Sequence, residues 1–498
     1  MNDLHEKIKQ NAKYILFQNL TTPLINLAIG IYIIKKLSVT DYGIYNLLYA
    51  VISYLALFSS MGLLNVLQRY IPEFSTKRQF SNIKKLVKYS ITVRLILAAT
   101  FLGILLLFNN QLNLLLKVNN FHSYISYFFI GIILFLEIQV VEATLSSLLL
   151  NRAIMISYWF ATIVRAILIY LFLERNMGLK GLLLAETFYY AALLLSQFLF
   201  YYFGFSIVSS SAENNLQIRR LFRYSGFSYF DEIGWTILDV KTDFFIIAAF
   251  LGPTMVGLYG FANQFVESIS KVMPFKILRP LIRSIFFFKF TENNKESQLN
   301  RHFNFLVKLI AFISFPIFMA IMALGEKIVI VLFDPKYLLA LPVLWIFTGF
   351  MLIISFQFPL QLVVQAVEKV EITFYSKIFS IYNLIGDILI IRILGIVGVA
   401  LVTCSARLFQ FIFVLHYIKK HVPLKLNIGA LTKIAMNTLV MTVVLYLLNP
   451  FVTNISTLIL IVIFGSIIYF GLSFFNKSFF DEERAIINKL LPRPLFVF

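Results

Sequence analysis

The sequence predicts an all-α membrane protein of about 14 transmembrane helices, built as two six-helix lobes related by a pseudo-two-fold along the membrane normal plus a C-terminal helix pair. Three observations predict it. Of 498 residues, 60% are hydrophobic and only 13% charged, against the roughly 25% charge with which a soluble domain wets its surface. Apolar segments of about 20 residues, enough to cross a ~30 Å hydrocarbon layer as a helix, recur with short polar breaks. Two stretches also repeat at a fixed spacing.

In chain order, the segments fall at approximately 14–34, 43–66, 89–108, 123–143, 153–173, 181–203 and 227–250 in the first half. They continue at approximately 254–275, 304–324, 338–362, 373–391, 396–418, 431–449 and 455–475. The segment at 227–250 carries several charges, and those at 43–66 and 254–275 are less apolar than the rest. Residues Met1 to Gln10 hold Lys7 and Lys9 but precede a long apolar run without a small-residue cleavage site, so the first segment reads as a retained span. These spans divide into an N-terminal lobe (1–204), a basic linker (205–223), a C-terminal lobe (224–420) and an extra helix pair with a basic tail (421–498).

The formal charge of +19 raises nucleic acid as a partner, and its distribution removes that need. Basic residues gather at Lys77–Lys88, Arg219–Arg223, Arg279–Arg301, Lys419–Lys433 and Lys477–Arg493, always on the side of the N-terminus. Roughly 28 Lys and Arg fall on that side and roughly 8 on the other, which makes the basic face cytoplasmic by the positive-inside rule. The expectation is a multi-pass protein of the plasma (inner) membrane with both termini cytoplasmic. The outer loops hold ~15 residues or fewer, too short for a folded domain. The one cysteine, Cys404, allows no internal disulfide and no thiolate metal site. His5, His122, His302, His416 and His421 have no metal-ligand spacing. There is no Walker-type glycine loop, so ATP is not the direct energy source.

The repeat aligns Leu37, Thr40, Gly43 and Tyr45 with Leu251, Thr254, Gly257 and Tyr259. The same register brings Leu67, Arg69 and Ile71 onto Leu281, Arg283 and Ile285, and Gly178-Leu-Lys-Gly181 resembles Gly395-Ile-Val-Gly398. Six spans separate the copies. An even number gives both halves the same orientation, hence an axis along the membrane normal.

These residues carry a resemblance. Leu37 to Tyr45, then Gly62-Leu-Leu-Asn-Val-Leu-Gln-Arg69-Tyr-Ile-Pro-Glu73, resemble the start of polysaccharide-biosynthesis (Wzx-type) oligosaccharide-lipid flippases of the multidrug/oligosaccharidyl-lipid/polysaccharide exporter superfamily. Leu251 to Tyr259, followed by Ala262, is similar to that family's second-half turn. The resemblance implies passage of an oligosaccharide on an undecaprenyl- or dolichyl-type phosphate or pyrophosphate from the inner to the outer leaflet, for O-antigen, capsule or exopolysaccharide. It implies alternating access around a cationic cavity lined by spans one, two, seven and eight. It also implies no cofactor, H+ or Na+ coupling, and membrane lipid, glycan polymerase and chain-length proteins as partners.

Ionisable groups at bilayer depth are costly, which makes them the site candidates. Span seven holds Asp231, Glu232, Asp239, Lys241 and Asp243. In one continuous helix Glu232, Asp239 and Asp243 share a face, and Lys241 points away from it. That face reads as part of a substrate or ion path, or as one side of an inter-helix ion pair. Glu267 and Lys271 form an i,i+4 pair that can satisfy itself. Arg94, Arg165 and Arg407 can each grip a phosphate or sugar carboxylate bidentately, or pair with Glu137, Glu142, Glu186 or Asp387. Asn19 and Asn26 flank Pro23 in span one, as a sugar-facing wall or as ordinary polar packing. Arg69 and Arg283 stand where spans two and eight reach the cytoplasm, as first contacts for a lipid phosphate or as positive-inside anchors.

Two other functions compete. A drug or cation antiporter of the same superfamily would carry fewer basic groups and commonly twelve spans. A membrane-embedded glycan polymerase, ligase or glycosyltransferase would need a sizeable outer loop or an acidic sugar-nucleotide site on a loop, and the sequence offers neither.

Overall fold

The computed structural model describes residues 2–203, 218–237, 239–279, 282, 283, 286, 296–490, 497 and 498. Among the described residues every regular element is helical. Eleven of the helices are long and apolar enough to cross a membrane. One of these, Glu371–Ile418, has 48 residues, ~72 Å if straight and so far more than one crossing needs. It is two spans folded at Gly395, whose φ is 57°. Spans seven and eight, expected as a charged segment and a less apolar one, are not among these eleven and complete the expected fourteen. The chain forms two compact units, Met1–Gly260 and Phe261–Phe498.

The first unit contains α1 (Asn2–Lys36), α2 (Val39–Ser60), α3 (Leu63–Thr76), α4 (Phe80–Leu107), α5 (Asn109–Leu116), α6 (Phe121–Ser147), α7 (Asn151–Glu174), α8 (Gly178–Tyr201), α9 (Ile218–Ile237) and α10 (Val240–Leu251). The chain leaves it within α11 (Pro253–Val272). Helix α8 packs along both α6 and α7, while α3, α4 and α6 enclose a core of Val66, Leu67, Ile71, Ile83, Leu86 and Val140. Helix α2 starts where Ser38 turns extended and its Oγ accepts from the Asp41 amide at 3.0 Å, satisfying one of the helix's orphan donors.

Two expectations need correcting here. Span two is not one helix. Met61 (φ 42°) and Gly62 (φ 76°) are both left-handed, which breaks it into α2 and α3. A non-glycine residue in that region costs roughly 1–2 kcal/mol, so the break is held by its surroundings. Span seven is not continuous either: α9 ends at Ile237, and Asp239 is extended (φ −77°, ψ 143°) and caps α10. Glu232, Asp239 and Asp243 therefore share no single helical face. The physical reason is that an aspartate accepts better from its own helix's first amides than it fits mid-helix.

The second unit contains α12 (Pro274–Ile277), α13 (Glu296–Ile328), α14 (Leu341–Ile354), α15 (Gln357–Ala366), α16 (Val370–Tyr375), α17 (Phe379–Ile418), α18 (Ile428–Leu448), α19 (Ile455–Asn476) and α20 (Asp481–Leu490). Helix α13 packs on α14 and α18, and α18 on α19. Pro316 lies inside α13 and has no amide to give the Phe312 carbonyl one turn back. The buried Tyr469 hydroxyl of α19 donates to that carbonyl instead, at 2.8 Å. Within hydrocarbon a freed carbonyl needs such a partner, so the added C-terminal helix completes span nine. Gly178 and Gly395, paired by the repeat, both take positive φ (55° and 57°) at the junctions of spans five–six and eleven–twelve.

Candidate functional site

The repeat has a direct structural counterpart inside the first unit. Thr40 Oγ1 and Thr254 Oγ1 share a hydrogen bond of 2.8 Å. An added Cβ on Gly43 would overlap the Pro253 carbonyl, and one on Gly257 would overlap the Val39 carbonyl. Each residue meets the neighbourhood of its own counterpart in the repeat. Glycine is required there because the two backbones touch.

In the same unit, α1, α2, α7 and α8 build a polar cluster. Arg165 Nε lies 3.0 and 3.1 Å from the two Glu186 oxygens and Nη2 2.5 Å from Oε1. Nη1 donates to Asn26 Oδ1 at 2.9 Å, and Tyr45 donates to Glu186 at 3.0 Å. Tyr49 and Tyr190 share a hydrogen bond of 2.8 Å. The Glu186 side chain is 1% exposed. Of the partners expected for Arg165, the structure selects Glu186, and the guanidinium is spent on it and Asn26. Asn19 is half-buried and makes no hydrogen bond among the described residues.

The break in span two organises a second group. An added Cβ on Gly62 would overlap the Ser225 carbonyl, and the Ser225 hydroxyl donates to the Met61 carbonyl, so α9 seats in the notch between α2 and α3. Glu232 then accepts from Asn65 at 2.7 Å and Ser60 at 3.2 Å, one from each side of the notch. Arg94, fully buried on α4, donates to Gln139 rather than to any of the carboxylates expected for it. Glu137 is buried without a hydrogen bond among the described residues.

Asp243 is fully buried and accepts from the Tyr259 hydroxyl at 2.6 Å. Lys241 Nζ is 3.8 Å from Asp239 Oδ2, so it does face a carboxylate of its own span, contrary to the sequence expectation; the broken backbone turns it there. The Asp231 side chain lies outside the described residues, as do residues 204–217 of the basic linker.

In the second unit Glu267 and Lys271 pair at 3.0 Å, as expected. Around them stand Lys276, Arg279 and Arg407. Burial lowers the Lys276 ammonium from its ordinary value, Glu267 opposes the fall, and Lys271, Arg279 and Arg407 add to it. Arg279 donates to Gln361 at 3.1 Å and covers the Phe358 ring. Arg407 has no ion pair among the described residues. Arg283 is exposed, and its charge lowers Arg279 further after burial. Three cations thus act on Lys276, with the Glu267 carboxylate opposing them. Like charges are kept close at a cost unless an anion joins them.

Sequence reasoning missed several members. Lys276 lay just past an expected span end. Lys308 lies inside expected span nine and pairs, buried, with Glu483; an intramembrane lysine was the available signal. Asn383 was missed as well: it donates to Asp387, which was expected only as an arginine partner, at 3.2 Å, and both are buried on α17.

A family model described as "Polysaccharide biosynthesis protein" matches residues 8–278. The chain is 22% identical over 297 residues to the "Probable low-salt glycan biosynthesis flippase Agl15" of Haloferax volcanii, covering 58% of this chain and 61% of that protein. It is 25% identical over 150 residues to the "Teichuronic acid biosynthesis protein TuaB" of Bacillus subtilis, 30% of each. The matches therefore span less than two thirds of both relatives. Among solved structures, "Lipid II flippase MurJ, inward closed conformation" superposes with a TM-score of 0.67 over 96% of this chain and 99% of that one, at 15% identity. An inward-facing multidrug resistance MATE family transporter of the MOP superfamily gives 0.65 over 81% and 98%, at 14% identity. At such identities the likeness shows the fold.

Proposed function

The chain belongs to the polysaccharide biosynthesis protein family, matched over residues 8–278, and from that premise we propose that it is a flippase for a lipid-linked oligosaccharide. The substrate is a glycan on a polyprenyl phosphate or pyrophosphate, carried from the cytoplasmic to the outer leaflet of the plasma membrane for surface polysaccharide. Both termini are cytoplasmic, and glycan polymerase and chain-length proteins act on the product. The protein moves its substrate and does not transform it.

The observation that carries this reading is the gathering of Lys271, Arg279 and Arg407 about Lys276, with Lys271 paired to Glu267 at 3.0 Å. Guanidinium and ammonium groups held together are what a phosphate diester or pyrophosphate requires, and a cationic drug would be repelled by them. Lobes at 1–204 and 224–420 with a linker at 205–223 suit alternating access. The buried carboxylates Glu137, Asp243 and Asp387 are groups through which H+ or Na+ can be coupled to it. The antiporter reading keeps one supporting observation, the fold shared with the MATE transporter.

The test is reconstitution of the full chain in vesicles carrying a fluorescent polyprenyl-pyrophosphate oligosaccharide. Outer-leaflet label should become accessible with the protein present, and Arg407→Ala with Lys276→Ala should slow this by about 10-fold or more, the loss of one to two charge-assisted contacts. Efflux of organic cations with no glycolipid movement would favour the antiporter.

A further inference from the structure

Glu73 lies on α3 opposite α9, held by three cations. Its Oε1 receives Lys77 Nζ at 2.8 Å and Arg220 Nη1 at 3.2 Å, and its Oε2 receives Arg220 Nη2 at 3.2 Å. Arg69 Nη1 is 3.5 Å from Oε2. The Arg69 and Arg220 guanidiniums also cover the Tyr70 ring, 5.7 and 5.0 Å from its centroid. The carboxylate side chain is only 14% exposed, whereas Arg69, Lys77 and Arg220 are 53%, 56% and 48% exposed. Two positive charges remain uncompensated and open to solvent or headgroups.

Charge, shape and connectivity point the same way. The Arg220 guanidinium fork, one Arg69 guanidinium nitrogen and the Lys77 ammonium converge on two carboxylate oxygens, a donor set that suits a phosphate dianion, which offers more oxygens and more charge than the carboxylate filling it. Arg220 lies 147 positions beyond Glu73, so this one carboxylate ties the end of span two to the start of span seven. The tie continues inward through the Ser225 hydroxyl on the Met61 carbonyl and through Glu232 on Asn65 and Ser60.

We propose that the Arg69–Lys77–Arg220 cluster is a binding site for a phosphate or pyrophosphate group, in which Glu73 holds the ligand's place and clasps α9 to α3 until the ligand displaces it. The site would admit the anionic end of a lipid-linked substrate, and to that extent it rests on the flippase reading; free inorganic phosphate or pyrophosphate offers the same chemistry. Displacement removes the carboxylate through which α3 holds Arg220 of α9, so ligand arrival and separation of α3 from α9 become one event.

The experiment uses the full chain in nanodiscs with spin labels at Thr76→Cys and Arg223→Cys, both exposed; the native Cys404 is buried and does not compete for label. The probes are inorganic pyrophosphate and, separately, undecaprenyl phosphate in the disc. Either should shift the label distances upward in the parent chain. Glu73→Gln should show the longer distances without ligand and bind pyrophosphate about tenfold tighter, a ~1.4 kcal/mol relief of competition, while Arg220→Ala should bind it more weakly. A response to the lipid alone identifies a headgroup site; a response to both identifies a general phosphate site. Unchanged distances with both probes, or short distances in Glu73→Gln, overturn the proposal. Vesicle transport is scored separately: a responsive clasp without glycolipid movement removes the flippase reading and leaves the site, and the reverse removes the site alone.

Discussion

At the scale of residues, the charges divide by whether their needs are met within the chain. Arg165 and Glu186 satisfy each other, with Asn26 and Tyr45 taking the remaining bonds. Removing one member of such a buried pair strands the other, at about 3–5 kcal/mol. Glu186→Ala and Arg165→Ala should therefore each lower the unfolding temperature in detergent, and the double replacement by Met should cost less than either. A double replacement at least as damaging as the singles would show the pair to be more than a neutralised charge. Glu73 behaves differently because its partners are exposed. Hydrogen bonds from Lys77 and Arg220, and their charges, hold its carboxyl below the usual carboxylate range. A lowered folded pKa means that its contribution is fully present above the unfolded value of about 4.3 and is lost as pH falls through the lowered one. The α3–α9 label distance should hold through pH 5 and lengthen only below the ordinary carboxylate range; lengthening near neutrality would contradict the assignment to Glu73. Individual charges were legible in the sequence, since each interrupts an apolar run. Pairing within a helix was legible too, as for Glu267 and Lys271; pairing between helices was not, because Arg165 and Glu186 lie on different helices and only packing decides which faces meet.

At the scale of elements, length and apolarity located the spans, while breaks inside them escaped. Nothing in the apolar pattern marks Met61–Gly62 as a notch, because the seat for α9 is made by Ser225, far along the chain. The break at Asp239 had a local signal, an aspartate ahead of an apolar run, which reads as a cap as readily as a buried charge. The repeat was legible and carries a consequence. Gly43 touches the Pro253 carbonyl, whereas nothing lies within 4 Å of a Cβ placed on Gly30. Gly43→Ala should reduce transport severely and lower stability by more than 1 kcal/mol through forced displacement of a backbone contact, with Gly30→Ala near the parent level on both counts. Equal tolerance at the two positions would remove the backbone crossing from the account.

At the scale of the whole molecule, the family and the fold are settled by the match over residues 8–278 and by superposition over 96% of the chain on a lipid II flippase. The substrate's identity is a matter for the cell. We propose that this chain carries a lipid-linked oligosaccharide across the membrane, and the amount of carrier-bound glycan after deletion of its gene tests this most directly. Deletion should cause build-up of the polyprenyl-linked oligosaccharide on the cytoplasmic leaflet, with loss of surface glycan, both reversed by the intact chain. An unchanged carrier pool with unchanged surface glycan would contradict it.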